Sequence, residues 1–160
     1  MKLSENGSKL LVEWEGGFQF KVYLDSGGLE TIGCGHLLTA DELESGKCCG
    51  EDYANGLSED ACWKLFSQDV AWAEKAVDDG VTVTLNQNQF DALVSFVFNV
   101  GSGAFKSSTL LRVLNMGQYG QVPSELRRWN KVAGEVVQGL VNRREKEITL
   151  WETAELEELT

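Results

Sequence analysis

The stretch that most constrains this chain runs from Val12 to Thr39, VEWEGGFQFKVYLDSGGLETIGCGHLLT. It opens as the end of a helix, where Glu15 meets Gly16 and Gly17, glycine being the usual residue at a helix stop. Apolar and polar residues then alternate through Phe18-Gln19-Phe20-Lys21-Val22-Tyr23, the period-two signature of a strand. Asp25-Ser26-Gly27-Gly28 supplies a turn, and Thr31-Ile32-Gly33-Cys34-Gly35 a short return strand. This order brings a glutamate at a helix end, an aspartate at a hairpin tip and a threonine on the return strand to one small cleft. Paired carboxylates of that kind are the layout of a hydrolase. On spacing alone the pattern is weak, because most such residues only end helices and shape turns.

The rest of the chain reads mainly as helix. A Ser4 cap opens the first helix, with Leu10, Leu11 and Trp14 near one face. The two-strand region reaches about Leu38; Thr39-Ala40-Asp41-Glu42 then reads as a capped helical turn and Lys47 to Gly56 as a loop. Ser58 caps a long helix with the stripe Cys62, Phe66, Val70, Ala73, Val77, ending near Asp79-Gly80. Asn86-Gln87-Asn88-Gln89 is a capping box, and the helix it opens is apolar nearly all round from Phe90 to Val100, as a buried central helix should be. Gly101-Ser102-Gly103 breaks it, Ser108 or Thr109 starts a short helix that Gly117 stops, and Pro123 fits the first turn of another running to Trp129. A loop with Gly134 and Gly139 leads to a last helix from Leu140 to about Trp151.

The expected fold is α+β and mainly helical, a single domain over residues 1–160. A small N-terminal lobe with a short β-sheet (about 14–57) is joined by a long helix (about 58–80) to a helical C-terminal lobe (about 81–160 plus the N-terminal helix).

A formal net charge of -11 argues against nucleic acid and anionic membranes as partners, since both reward basic surfaces. Asp41-Glu42-Leu43-Glu44 and the tail Glu155-Leu156-Glu157-Glu158 read as exposed, solubilising acid. No apolar run is long enough to span a bilayer or to serve as a signal peptide, so synthesis in a cytoplasm and no membrane insertion are expected. Cys34, Cys48, Cys49 and Cys62 form neither a CxxC pair nor a regular disulfide framework, and His36 is the only histidine. No metal and no cofactor are expected. The cysteines read as small apolar filler or surface thiols, with a bridge from Cys48 or Cys49 to Cys62 open under oxidising conditions.

Glycoside hydrolysis needs a carboxylic acid to protonate the leaving oxygen and a second carboxylate on the other side of the sugar. Glu15 suits the acid role if packing beside Trp14 and the hairpin desolvates it and raises its pKa. Asp25, at a turn, would stay solvated and ionised, and the Thr31 hydroxyl can hold a water between them. Glu13 is a rival acid, but it has no glycine after it and points to another helix face.

The segment resembles the phage-type lysozymes, the T4-lysozyme-like glycoside hydrolases. Their pattern is a helix-ending Glu-Gly, an aspartate shortly after a Tyr, and a threonine opening a TIGxGHLLT run. Glu15-Gly16, Tyr23-Leu24-Asp25 and Thr31-Ile32-Gly33-Cys34-Gly35-His36-Leu37-Leu38-Thr39 match it. So do Leu65-Phe66-Ser67-Gln68-Asp69-Val70, Gln87-Asn88-Gln89-Phe90-Asp91-Ala92-Leu93, Phe98-Asn99-Val100-Gly101, Trp129 and Gly139-Leu140-Val141-Asn142-Arg143-Arg144. The resemblance implies hydrolysis of the β-1,4 bond between N-acetylmuramic acid and N-acetylglucosamine in peptidoglycan, with inversion. Glu15 would be the acid, with Asp25 and Thr31 positioning and activating the water. It further implies Arg143 pairing with Glu15 to orient it, a structural ion pair of His36 with Asp69, and saccharide contacts by Leu37, Phe98 and Ser108. Phe98 could equally be core, and an asparagine contact of the family falls near Pro123 here.

A monomer acting on the peptidoglycan glycan strand is the implied assembly. The enzyme would be made in a host cytoplasm and would reach the periplasmic wall after the membrane is permeabilised. Two departures stand against the pattern: the acidic charge, and one residue too many between Glu15 and Asp25, the surplus being Gly17. That glycine would be absorbed as a bulge or a longer helix stop, or would swing Glu15 out of place. The competing readings are a non-catalytic peptidoglycan-binding domain and a lytic transglycosylase on a related fold.

Overall fold

A computed structural model of the chain describes the backbone of residues 1–158 and the side chains of residues 1–153. The side chains of the acidic tail Glu155-Leu156-Glu157-Glu158 thus lie outside the described residues. The structure is mainly helical with a small β region near its N-terminus, and it divides into two units. One comprises residues 9–71; the other comprises residues 1–8 with those from 72 onward. Residues of the long helix fall in both units.

In the unit of residues 9–71, α1 (Glu5–Trp14) enters with Leu11 and Val12 buried, one step round from the face the spacing of Leu10, Leu11 and Trp14 marks. A three-stranded antiparallel sheet follows, β1 (Gln19–Leu24), β2 (Glu30–Gly33) and β3 (His36–Leu37), in that order. The alternation in β1 does not sort into an inner and an outer face, because Phe20, Val22 and Leu24 are all exposed. The buried work falls to β2, where Thr31, Ile32 and Gly33 are covered.

Thr39 then caps α2 (Ala40–Ser45) in a full capping box with Glu42. The segment read as a loop holds a hairpin, β4 (Lys47–Cys48) and β5 (Glu51–Asp52). Its turn residues Cys49 and Gly50 both have positive φ, at 52° and 78°, as a two-residue primed turn requires. Ser58 accepts the Ala61 N–H and caps α3 (Glu59–Gly80), whose whole stripe Cys62, Phe66, Val70, Ala73 and Val77 is buried. Ile32, Leu38, Cys48, Leu57, Ala61, Cys62 and Leu65 form this unit's core.

The second unit is built on α4 (Gln87–Val100), opened by the Asn86–Gln89 capping box, with every residue from Gln89 to Val97 buried. Ser4 caps α1 by accepting the Gly7 N–H, and Asp91 of α4 holds Ser4 in turn through its N–H and hydroxyl. Gly7 is required there: a Cβ would lie 2.4 Å from the Asp91 carboxyl. Gly101 ends α4, but Ser102 starts another helix at once, α5 (Ser102–Lys106), where a break was expected. α6 (Thr109–Asn115) and α7 (Val122–Arg127, with Pro123 in its first turn) follow. The Gly134 loop is a second short hairpin, β6 (Lys131–Val132) and β7 (Glu135–Val136), turning through Ala133 and Gly134 at positive φ. α8 (Gln138–Glu158) is longer at both ends than its apolar spacing marks.

Candidate active site

Glu15 is placed by the way α1 stops. Its N–H still reaches Leu11 O at 3.0 Å, so its backbone belongs to the last turn. The Gly16 N–H then reaches Glu13 O at 3.1 Å and the Gly17 N–H reaches Val12 O at 2.9 Å. These crossed bonds are the Schellman closure, which needs a left-handed residue after the cap. Gly16 and Gly17 supply φ of +103° and +83°. The surplus glycine is therefore taken up as a longer helix stop, after Glu15 and without loosening its own helical bond. The β1–β2 register also shifts between Gln19 and Tyr23.

A pocket of about 310 Å³ opens beside this helix end, lined by Glu15, Gly16, Gly17, Gln19, Tyr23, Cys34 and Gly35. Glu13 is not part of that lining. Glu15 is exposed, so packing against Trp14 and the hairpin does not bury it as the desolvation argument expects.

Asp25 stands where β1 enters the turn, one residue past the Leu24–Glu30 pair. Its main chain is closed by the Asp25 N–H on Leu29 O and the Gly28 N–H on Asp25 O, both at 2.9 Å. Its side chain locks the loop as well: Oδ1 accepts the Gly27 N–H at 2.8 Å and the Leu29 N–H at 2.9 Å. Thr31, opposite Tyr23 in the ladder, is only 2% exposed, and its hydroxyl donates to Leu29 O at 2.9 Å. The hydroxyl proton is thus spent inside the turn, leaving Thr31 an acceptor. Asp25 and Thr31 do not line the pocket that holds Glu15.

A second constellation in the same unit joins β3, α2, β4 and α3. His36 Nδ1 donates to Asp69 Oδ2 and His36 Nε2 donates to Glu42 Oε1, each at 2.8 Å. The Cys48 thiol donates to Glu42 Oε2 at 2.9 Å. The Asp69 carboxylate lifts the His36 pKa to about 9 against the opposing effect of burial, with Glu42 adding to the rise. Burial pushes Glu42 upward, yet the Cys48 thiol, the Thr39 N–H and His36 together hold its carboxyl at about 2. Burial and the adjacent Glu42 push the Cys48 thiol well above its ordinary range. At neutral pH the group is therefore an imidazolium between two carboxylates, with a protonated thiol on one of them.

Glu42 and Cys48 had no visible role in the sequence. Glu42 reads there as exposed acid in a capped helical turn; in the structure it is half-buried and completes a capping box, its Oε1 accepting the Thr39 N–H. All four cysteines are free thiols; Cys34, Cys48 and Cys62 are buried, and Cys48 does more than fill space, its thiol donating to Glu42.

The remaining expected site residues are placed as follows. Leu37 is half exposed on β3, opposite Thr31. Phe98 is half-buried rather than core, stacked on Trp72 with ring centroids 5.9 Å apart. Ser108 caps α6, accepting the Leu111 N–H and donating to Phe105 O. It also borders a pocket of about 320 Å³ with Ala104, Ser107, Thr109, Glu125, Arg128 and Trp129. Arg143 is buried on α8 and its Nη2 donates to Ser95 O at 3.1 Å and Ser95 Oγ at 3.2 Å.

Comparison with known proteins bears on this arrangement. The family model described as Phage lysozyme matches residues 12–147. The chain is 39% identical to an endolysin of Salmonella phage P22, covering 94% of this chain and 98% of the relative. It is 40% identical to an endolysin of Bacillus phage B103, over 97% of this chain but only 56% of that protein's length. Among solved structures, a mutant of P22 lysozyme superposes with a TM-score of 0.80 at 36% identity, covering 94% of this chain and 98% of the other.

Proposed function

This chain belongs to the phage lysozyme family, and on that premise we propose that it lyses bacterial cell walls by cutting the glycan strand of peptidoglycan. The bond cleaved is the β-1,4 link between N-acetylmuramic acid and N-acetylglucosamine, with inversion at the anomeric carbon. Glu15 is the general acid that protonates the leaving oxygen. Asp25 is the base: Oδ1 is committed to two backbone N–H groups, so Oδ2 takes the proton from the attacking water. Thr31 orients that water by accepting from it, its own proton being given to Leu29 O.

The single observation that carries this reading is the closure of α1. It fixes Glu15 through its backbone at the rim of a pocket walled by glycines, Tyr23 and Gln19. Arg143 as the orienting group, and Leu37, Phe98 and Ser108 as saccharide contacts, complete the proposal. Within the described residues no helix is long and apolar enough to cross a membrane. Access to a periplasmic wall through a separately made membrane lesion is part of the same proposal.

Product analysis on purified peptidoglycan tests it, with Glu15→Gln and Asp25→Asn beside the wild type. Muropeptides with reducing ends of inverted configuration are expected from the wild type alone. Anhydro ends would identify a transglycosylase. Wall binding without any product from the wild type would identify a binding domain.

A further inference from the structure

We propose that His36, Glu42 and Cys48 form a site for a thiolate-binding divalent metal ion of the Zn2+ class. The three ligand atoms, His36 Nε2, a Glu42 oxygen and Cys48 Sγ, lie within 4.8 Å of one another. In tetrahedral zinc sites, bond lengths of about 2.0–2.3 Å put ligand atoms roughly 3.3–3.7 Å apart. The present hydrogen bonds run to different Glu42 oxygens, 2.8 Å from His36 Nε2 to Oε1 and 2.9 Å from Cys48 Sγ to Oε2, so the side chains must shift by up to roughly an ångström to gather about one ion. Side-chain rotation can supply such a shift, since the donors come from three elements, β3, α2 and β4, of which β4 places Cys48 in the core of this unit with Leu38, one residue past β3.

The surroundings are those of a metal site in a further respect. A ligating imidazole is normally held by a carboxylate on its other nitrogen, which fixes the tautomer and aims the ring. Asp69 does this to His36, taking Nδ1–H at 2.8 Å and leaving Nε2 to face Glu42. Glu42 is itself fixed through the Thr39 N–H on Oε1, so Oε2 can ligate while the cap persists. One nitrogen, one carboxylate oxygen and one sulfur favour Zn2+ over Mg2+ or Ca2+, which prefer oxygen alone. Water takes the fourth position.

The exchange balances. His36 gives up its Nε2 proton and Cys48 its thiol proton, and both go to solvent as the ion binds. Two positive charges leave and two arrive, so the net charge of the buried group is unchanged. The ion would tie β3, α2 and β4 together and stabilise the unit of residues 9–71 by mass action.

His36 is the chain's only histidine, so its imidazole resonances report on the site without any substitution. Zn2+ added to the intact, thiol-reduced protein should move them with saturation at one equivalent and raise the melting temperature. Co2+ should give a thiolate charge-transfer band that is lost in Cys48→Ser and retained within about threefold in affinity in Cys49→Ala. Asp69→Asn should weaken Zn2+ binding by about 10–100-fold. Circular dichroism checks that each variant folds; if Cys48→Ser does not, the wild-type His36 titration decides alone. His36 resonances unmoved by one equivalent of Zn2+, a Co2+ band surviving Cys48→Ser, or one abolished by Cys49→Ala would each overturn the assignment.

Discussion

Two corners of the unit of residues 9–71 are built on opposite principles. At Glu15 and at the Asp25 turn, position is set largely by the main chain: a Schellman closure on two left-handed glycines, and a hairpin turn whose backbone bonds Asp25 Oδ1 reinforces. At the His36 corner, position is set by side chains: an imidazolium, two carboxylates and a thiol interlocked at 2.8–2.9 Å. The Glu15 carboxyl takes no part in the backbone bonds that end α1, and Asp25 holds its turn through Oδ1 alone, leaving Oδ2 outside those bonds. At the His36 corner every charge is part of the scaffold. Substitutions should therefore separate, with activity lost at Glu15 and Asp25 and stability lost at the His36 corner.

The largest effect is expected from Glu15→Gln. It keeps shape and removes the proposed proton donor, so hydrolysis should fall by about 10²–10⁴-fold. Stability should fall by less than activity does, because the bonds that end α1 are made by the main chain. Asp25→Asn retains an oxygen for the Gly27 and Leu29 N–H groups and should lose activity to a similar degree with the turn intact. Turnover of purified glycan beside urea unfolding of the same preparations checks both. A large stability loss in either variant would break the contrast between the two corners.

At the His36 corner the effect is on stability and is read by pH, in chelator-treated protein. His36 is raised from 6.5 to about 9 in the folded state, so its contribution is complete below pH 6.5 and is lost as pH climbs to 9. The size is on the order of 3 kcal/mol. Glu42 is lowered from 4.5 to about 2, so its contribution is complete above pH 4.5 and is lost as pH falls toward 2. Unfolding free energy should thus peak between those limits. Asp69→Asn should flatten the alkaline limb, because Asp69 is the main cause of the His36 shift. An unchanged alkaline limb in that variant would place the proton linkage elsewhere.

The contrast also explains what could be read from sequence. The capped helices were legible because a cap and its stripe are local: Ser58 with Cys62 to Val77, and Asn86 with Gln89. The helix end at Glu15-Gly16-Gly17 was legible for the same reason. The two short hairpins were not, since two-residue strands carry no alternation and their turns use Cys49-Gly50 and Ala133-Gly134 in place of Asn-Gly. β1 misled in the other direction, its alternating Phe20, Val22 and Leu24 all facing solvent. Asp69 entered through family resemblance alone, and Glu42 and Cys48 stayed hidden because their partners are fixed by three-dimensional folding. No spacing rule links an N3 capping residue to a histidine six positions earlier and a thiol six later.

The smallest effects should come from the glycines that close α1 after Glu15, and they sharpen the contrast most. Gly16 and Gly17 sit at φ +103° and +83°, and nothing lies within 4 Å of a Cβ built on either. Space is therefore no obstacle to Gly16→Ala or Gly17→Ala; the cost is conformational, about 1–2 kcal/mol for a left-handed residue with a side chain. The chain can relieve that strain only by surrendering the Gly16–Glu13 or Gly17–Val12 bond that ends α1. Because Gly16 immediately follows Glu15 and Gly17 is one step further, Gly16→Ala should lower hydrolysis more than Gly17→Ala at equal loss of stability. Urea midpoints beside turnover numbers for the two variants give the comparison. Equal losses of activity would mean that the closure positions Glu15 only as a whole, and that neither glycine acts on it individually.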